Sequence, residues 1–176
     1  MVKRGAFIGR FQPFHMGHLV VIKNLLKEVD ELIIVIGSSQ HSHSIDNPFT
    51  AGERLVMVRN GLNEAGIPHE SWWIVPVPDV HVHMIWVSQV IGYTPKFDVV
   101  YSNEPLTSRL FKESGFEVKP IPFVERHIYS ATEIRKRMLA GKNWEELVPK
   151  SVVAFIKQID GIQRLRDLNK TDRIQP

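Results

Sequence analysis

Two apolar rhythms alternate along the chain. Short, nearly unbroken apolar runs occur at GAFIG (5–9), ELIIVIG (31–37), WWIVPV (72–77), FDVVYS (97–102) and FEVKPI (116–121). Runs of this length, rich in β-branched and aromatic residues, predict strands buried on both faces. Between them, segments 17–29, 51–65, 83–92 and 104–113 place apolar residues three and four apart, which predicts helices with one buried face.

This strand–helix alternation predicts a doubly wound, Rossmann-like α/β fold with a five-stranded parallel sheet. The ligand crevice of such a sheet lies beyond the carboxyl ends of its strands. Local signals set some boundaries. Thr50 followed by Glu53 is a capping-box pattern, and Ser130 followed by Glu133 repeats it at the head of SATEIRKRMLAG (130–141), which Gly141 would end. Two short helices are expected at 144–148 and 149–159, with Pro149 near the start of the second. The tail from Gly161 to Pro176 turns polar and charged after Leu168 and is expected to fray. The expectation is one domain over residues 1–176, with the Rossmann-like core at about 1–128 and C-terminal helices at about 129–168.

Composition narrows the function classes. Across 176 residues, 22 basic and 19 acidic side chains leave a formal charge of +3, and the basic residues are dispersed. That suits a small anionic substrate better than nucleic acid, which favours a basic stripe. The chain has no cysteine, so disulfides, thiol nucleophiles and cysteine-ligated zinc are excluded. Without an export leader or a membrane-length apolar run, a cytoplasmic location with no membrane partner is expected.

The densest candidate chemistry is GRFQPFHMGH (9–18), where the first strand hands over to the first helix. If the helix starts near Met16, His15 and His18 lie one turn apart at its amino end, where free amides and the helix dipole attract anions. Gly17 removes a side chain between them, Pro13 suits the preceding turn, and Arg10 adds a planar, permanent charge for phosphate oxygens. Zinc is the competing reading of the histidines. His41, His43, His81 and His83 in SSQHSHS and DVHVHM are further candidate ligands, yet no closed ligand set is evident.

GRFQPFHMGH resembles the HxGH signature of the nucleotidyltransferase superfamily, and SATEIR (130–135) resembles its second signature, usually written around ISSTxxR. The closer resemblance is to archaeal-type nicotinamide-nucleotide adenylyltransferases. It runs through GSSQHSHSIDNPFTAGER (37–54), PVPDVHVHMIW (76–86), VYSNEPL (100–106) and the C-terminal helices. It implies adenylyl transfer from ATP to nicotinamide mononucleotide, giving NAD and pyrophosphate by direct in-line attack. It implies His15, His18, Arg10 and Arg135 as catalytic groups, and Gly9, Arg10, Phe11, His15, His18, Ser130, Thr132 and Arg135 around ATP. Ser38, Asp79, Trp86 and Asn103 would meet the mononucleotide, with Trp86 stacked on the cationic ring. Mg²⁺ would arrive with ATP, no protein ligand to the metal is assigned, and a homo-oligomer, by resemblance a hexamer, is expected.

Two departures stand out. Tyr129 and Ala131 replace the usual Ile and Ser of the second signature, and Asp46 stands where some members carry a basic residue, so the resemblance does not extend to a phosphate contact from that loop. Trp72 and Trp73 fall in a strand and receive no role. The competing readings are other acceptors of the same superfamily (flavin mononucleotide, phosphopantetheine or a phospho-alcohol), a class I aminoacyl-tRNA synthetase, and a non-catalytic nucleotide sensor. The synthetase reading lacks a KMSKS-type loop, and a sensor has no need of transition-state groups.

Overall fold

The computed structural model describes residues 1–121 and 128–171. Five strands, β1 (Arg4–Gly9), β2 (Glu31–Ile36), β3 (Trp72–Pro76), β4 (Val99–Tyr101) and β5 (Glu117–Lys119), form one sheet in the order β3-β2-β1-β4-β5. Every pairing is parallel, with Phe7 opposite Ile34 on one side and Tyr101 on the other. The chain winds outward from β1 to β3, then returns to start the other half at β4. The switch point therefore falls between β1 and β4, where a doubly wound sheet opens its crevice.

Helices α1 (Met16–Leu25) and α2 (Ala51–Glu64) cover one face, joined there by α5 (Ala131–Leu139), α6 (Lys150–Gln158) and α7 (Gly161–Thr171). Helices α3 (His83–Tyr93) and α4 (Pro105–Glu113) cover the other. Strand pleating divides the core accordingly: Phe7, Leu32, Ile34, Ile36 and Tyr101 pack under the first layer, while Ala6, Ile33, Val35 and Val100 pack under the second. The larger layer also encloses Phe14, Met57, Leu62 and Ile156.

Several boundaries differ from the sequence reading. The first helix ends at Leu25 rather than at 29, because Leu26 caps it and a turn carries Val29 back into the core. Glu104 is the cap of α4 and not its first residue, its carboxylate accepting from the Leu106 and Thr107 amides. The segment expected as a helix at 144–148 is a single 3₁₀ turn, Glu145–Leu147. The Ser130–Glu133 box is half made: the Ser130 hydroxyl accepts from the Glu133 amide, but the Glu133 carboxylate is drawn to Arg137 at 2.8 Å. The tail is no fraying segment as far as Thr171. Leu165 is fully buried, and Arg164 makes two bonds of 2.7 and 2.8 Å to Glu53. The end of the expected frayed tail, 172–176, lies outside the described residues.

Close packing brings α2 against the loop after β1 through Gly61, where a Cβ would stand 2.6 Å from the Phe14 ring. Gly61→Ala should destabilise the fold by about 1–3 kcal/mol through overpacking, read as a lower urea midpoint at an unchanged slope.

Candidate active site

A cavity of about 720 Å³ opens at the carboxyl ends of β1, β2 and β4. Its walls include all twelve residues that sequence reasoning singled out as catalytic or nucleotide-binding: Gly9, Arg10, Phe11, His15, His18, Ser38, Asp79, Trp86, Asn103, Ser130, Thr132 and Arg135.

The two histidines cap their own helix. His15 is the N-cap of α1, its Nδ1 accepting from the His18 amide at 3.4 Å, while His18 Nδ1 accepts from the His15 amide at 3.2 Å. Imidazoles thus make a capping box that Ser/Thr with Glu makes elsewhere. The rings stack with centroids 3.6 Å apart, and His18 lies 4.7 Å from the Phe11 ring. Because each Nδ1 is an acceptor, the proton of each neutral ring sits on Nε2, leaving a donor on the other edge. Burial pushes the His15 pKa from the ordinary 6.5 down to about 3. Burial, then the neighbouring His15, hold His18 well below its ordinary value too. Gly17 is required between them: a Cβ there would lie 2.8 Å from Tyr129 Cβ and 3.0 Å from His15 Nδ1.

Arg135 reaches the same cavity from the far end of the chain. It is buried, with Nη1 donating to the Gln12 carbonyl at 2.9 Å and Nη2 to Asp46 Oδ1 at 3.1 Å. Its Nε is buried and meets no acceptor among the described residues, which leaves one donor of a charged fork unmatched. Asp46, the acidic replacement, is thus a partner of Arg135, a contact that sequence reasoning did not anticipate. Arg10 is exposed at the cavity rim. Ser130 caps α5, and Thr132 lies in its first turn, so the positive end of that helix faces the cavity.

On the opposite side, Asp79 receives a different support. Its amide donates to Gln40 Oε1 at 2.9 Å, and its carboxylate stands 3.9 Å from His41 Nε2. Trp86 packs edge-on to Phe111 at 5.8 Å, and its indole Nε1 is buried without an acceptor among the described residues. Asn103 has both ends of its carboxamide engaged by the Ile121 backbone, at 2.8 and 2.9 Å. Among the described residues, no group of three or more His, Asp and Glu side chains comes together in a way that could hold a metal ion, His41, His43, His81 and His83 included. Trp72 and Trp73 are tied instead to the Ile67 carbonyl and the Glu31 carboxylate.

Sequence reasoning missed four contributors. Gln12 is buried and exchanges two 3.0 Å bonds with the Phe49 backbone, which pins the loop after β1 to the start of α2. Arg54 is fully buried beneath the cavity loops. Glu104 and Thr107 line the cavity at the head of α4. A polar residue within an otherwise apolar FQPF turn was the available signal for Gln12.

The folded protein keeps His15 and His18 neutral, whereas the unfolded chain binds protons on them below about pH 6.5. Their contribution to stability is full above that value and is lost progressively as pH falls toward 3. Urea midpoints should already decline between about pH 6.5 and 5, above the carboxylate range, and decline less in His15→Gln.

Residues 6–137 match the model of the family described as cytidylyltransferase-like. Nicotinamide-nucleotide adenylyltransferases of Archaeoglobus fulgidus and Methanolobus tindarius are 51% and 49% identical to this chain. The matches cover 96% and 98% of this chain, and 99% and 98% of those proteins. A crystal structure of a bifunctional NMN adenylyltransferase/ADP ribose pyrophosphatase from Francisella tularensis, complexed with AMP and manganese, superposes with a TM-score of 0.80 at 27% identity. It covers 97% of this chain, which spans 54% of that longer one. With both signatures meeting in one cavity at the switch point, the chain belongs to the cytidylyltransferase-like family and, within it, to the archaeal nicotinamide-nucleotide adenylyltransferases.

Proposed function

We propose that the cavity joins the AMP moiety of ATP to nicotinamide mononucleotide, forming NAD and releasing pyrophosphate. The observation that carries this reading is the meeting of the two signatures: Arg135 of the second binds the Gln12 carbonyl of the first at 2.9 Å. A phosphate monoester is already an anionic nucleophile at neutral pH, so no protein base is needed for the attack on the α-phosphorus. The protein's task is to align two anions and to stabilise charge on the α-phosphoryl group and the departing pyrophosphate.

The residue chemistry suits that task. His15 and His18 offer neutral Nε2–H donors to phosphoryl oxygens, and their protonation state holds steady across the physiological range. Fixed charge comes from Arg10 and Arg135, the latter with its unmatched Nε. The head of α5, with Ser130 and Thr132, receives the β- and γ-phosphates, beside Gly9 and Phe11. Ser38, Asp79, Trp86 and Asn103 form the mononucleotide side, with Trp86 against the cationic ring and Asp79 offsetting its charge.

Mg²⁺ is the expected ion. Held by phosphate oxygens and water, it supplies charge neutralisation to the triphosphate. The described residues fit an ion that travels with the nucleotide, since they gather no carboxylate or histidine cage. Manganese in the related complex supports a divalent ion of this kind. The chain works as one domain over 1–176 and as a homo-oligomer, with hexamer the expected state. The exposed apolar side chains Val82, Met84, Ile85 and Ile91 on and beside α3 support self-association. No helix among the described residues is long and apolar enough to cross a membrane. A cytoplasmic location is the expectation for an enzyme acting on free nucleotides.

With ATP and a panel of acceptors, nicotinamide mononucleotide should give NAD and pyrophosphate, and flavin mononucleotide should not; the reverse outcome overturns the assignment. His18→Ala should lower kcat at least about 100-fold while changing the ATP dissociation constant less than about tenfold. Equal losses in both would mark the cavity as a binding site without catalysis.

A further inference from the structure

Arg54 has no accessible surface and does not line the cavity, yet it holds the segments that follow β1 and β2 into the cavity. A guanidinium carries five N–H donors in a fixed fork. All five are used here, each on a backbone carbonyl. Nε donates to Thr50 at 3.3 Å, Nη1 to Arg10 and Gly37 at 2.9 Å each, and Nη2 to Ser38 at 3.0 Å and His41 at 3.4 Å. None of these bonds reaches a carboxylate, which is an unusual way to hold a buried cation.

The residues just after two of those carbonyls carry backbone strain. Phe11 has φ +52° and Ser38 has φ +49°, the left-handed region that residues other than glycine rarely occupy without compensation. Carbonyl and N–H of a trans peptide point in opposite directions. With the Arg10 and Gly37 carbonyls drawn down onto Arg54, the Phe11 and Ser38 amides point away from it, and neither meets a hydrogen-bond partner among the described residues. Arg10, Phe11, Gly37 and Ser38 all line the cavity.

We infer that Arg54 is a positioning residue that turns the backbone amides of Phe11 and Ser38 into the cavity as anion donors. Phe11 stands on the histidine side, where its ring meets His18, and so serves the triphosphate. Ser38 follows β2, beside the Asp79 wall, and serves the mononucleotide phosphate. The same contacts hide carbonyl lone pairs that would otherwise face two polyanions at the ends of the strands. A buried positive charge below the floor adds to that field without touching the ligand. This assignment rests on the adenylyl-transfer reading for the identity of the two anions.

The test uses the full-length protein labelled with ¹⁵N. On titration of the wild type, the Phe11 amide resonance should shift with pyrophosphate and that of Ser38 with nicotinamide mononucleotide. Arg54→Lys offers three donors where five carbonyls wait. It should raise KM for both substrates at least about tenfold, with a smaller change in kcat, and should weaken both amide shifts. Unmoved amides in the wild type overturn the inference whatever the variant does. So does an Arg54→Lys enzyme that melts earlier but keeps both KM values, which would make Arg54 structural only. If Arg54→Lys fails to fold, the wild-type titration alone decides. NAD formation with silent amides sinks the positioning role and spares the reaction; responsive amides without NAD formation do the opposite.

Discussion

The structure depends on how the chain is held immediately after β1. A parallel strand delivers its last peptide groups into the ligand crevice, and those groups must be paired by something other than the sheet. Gly37 and Arg54 pair the Gly9 and Arg10 carbonyls, and Gln12 secures the turn that follows. The Gln12 side-chain amide behaves as a further backbone unit toward Phe49, while its own carbonyl receives Arg135. One buried residue thereby fixes the approach of α1, the start of α2 and the position of α5. The histidine caps follow from that placement, since α1 starts where the Gln12 junction leaves the chain.

Neutral histidines and charged arginines divide the electrostatic labour. Arg10 and Arg135 supply charge that no pH in the physiological range removes. His15 and His18 supply directed donors whose acceptor edges are already spent on α1. A proton on either ring would break the cap, so the helix start and the donor geometry stand or fall together. Asp46 adds a counterweight to Arg135 from an exposed loop, an arrangement sensitive to ionic strength because one partner is largely solvated.

The sheet and the twelve cavity residues were legible in the sequence for different reasons. Strands such as ELIIVIG announce themselves because both faces are buried, so no polar alternation interrupts them. GRFQPFHMGH and SATEIR were readable because each concentrates several chemically related features in a few residues. What escaped depends on distance in the chain. The helix at Gly161–Thr171 looks polar because Arg164 is satisfied by Glu53, far away in sequence, and the role of Arg54 is defined entirely by carbonyls, which carry no side-chain signal. The Ser130–Glu133 box was half wrong because Arg137 competes for the carboxylate, one helical turn on.

The clasp between α7 and the head of α2 has a consequence for assembly. Arg164 holds Glu53 and the Pro48 carbonyl, and Gly161 packs against Phe49, the residue that Gln12 grips. The segment that steadies the cavity floor therefore follows every strand of the sheet in chain order. A chain that has paired β1 through β5 still lacks a rigid floor until α7 docks, so the frame of the domain can form before the surface it carries is stiff.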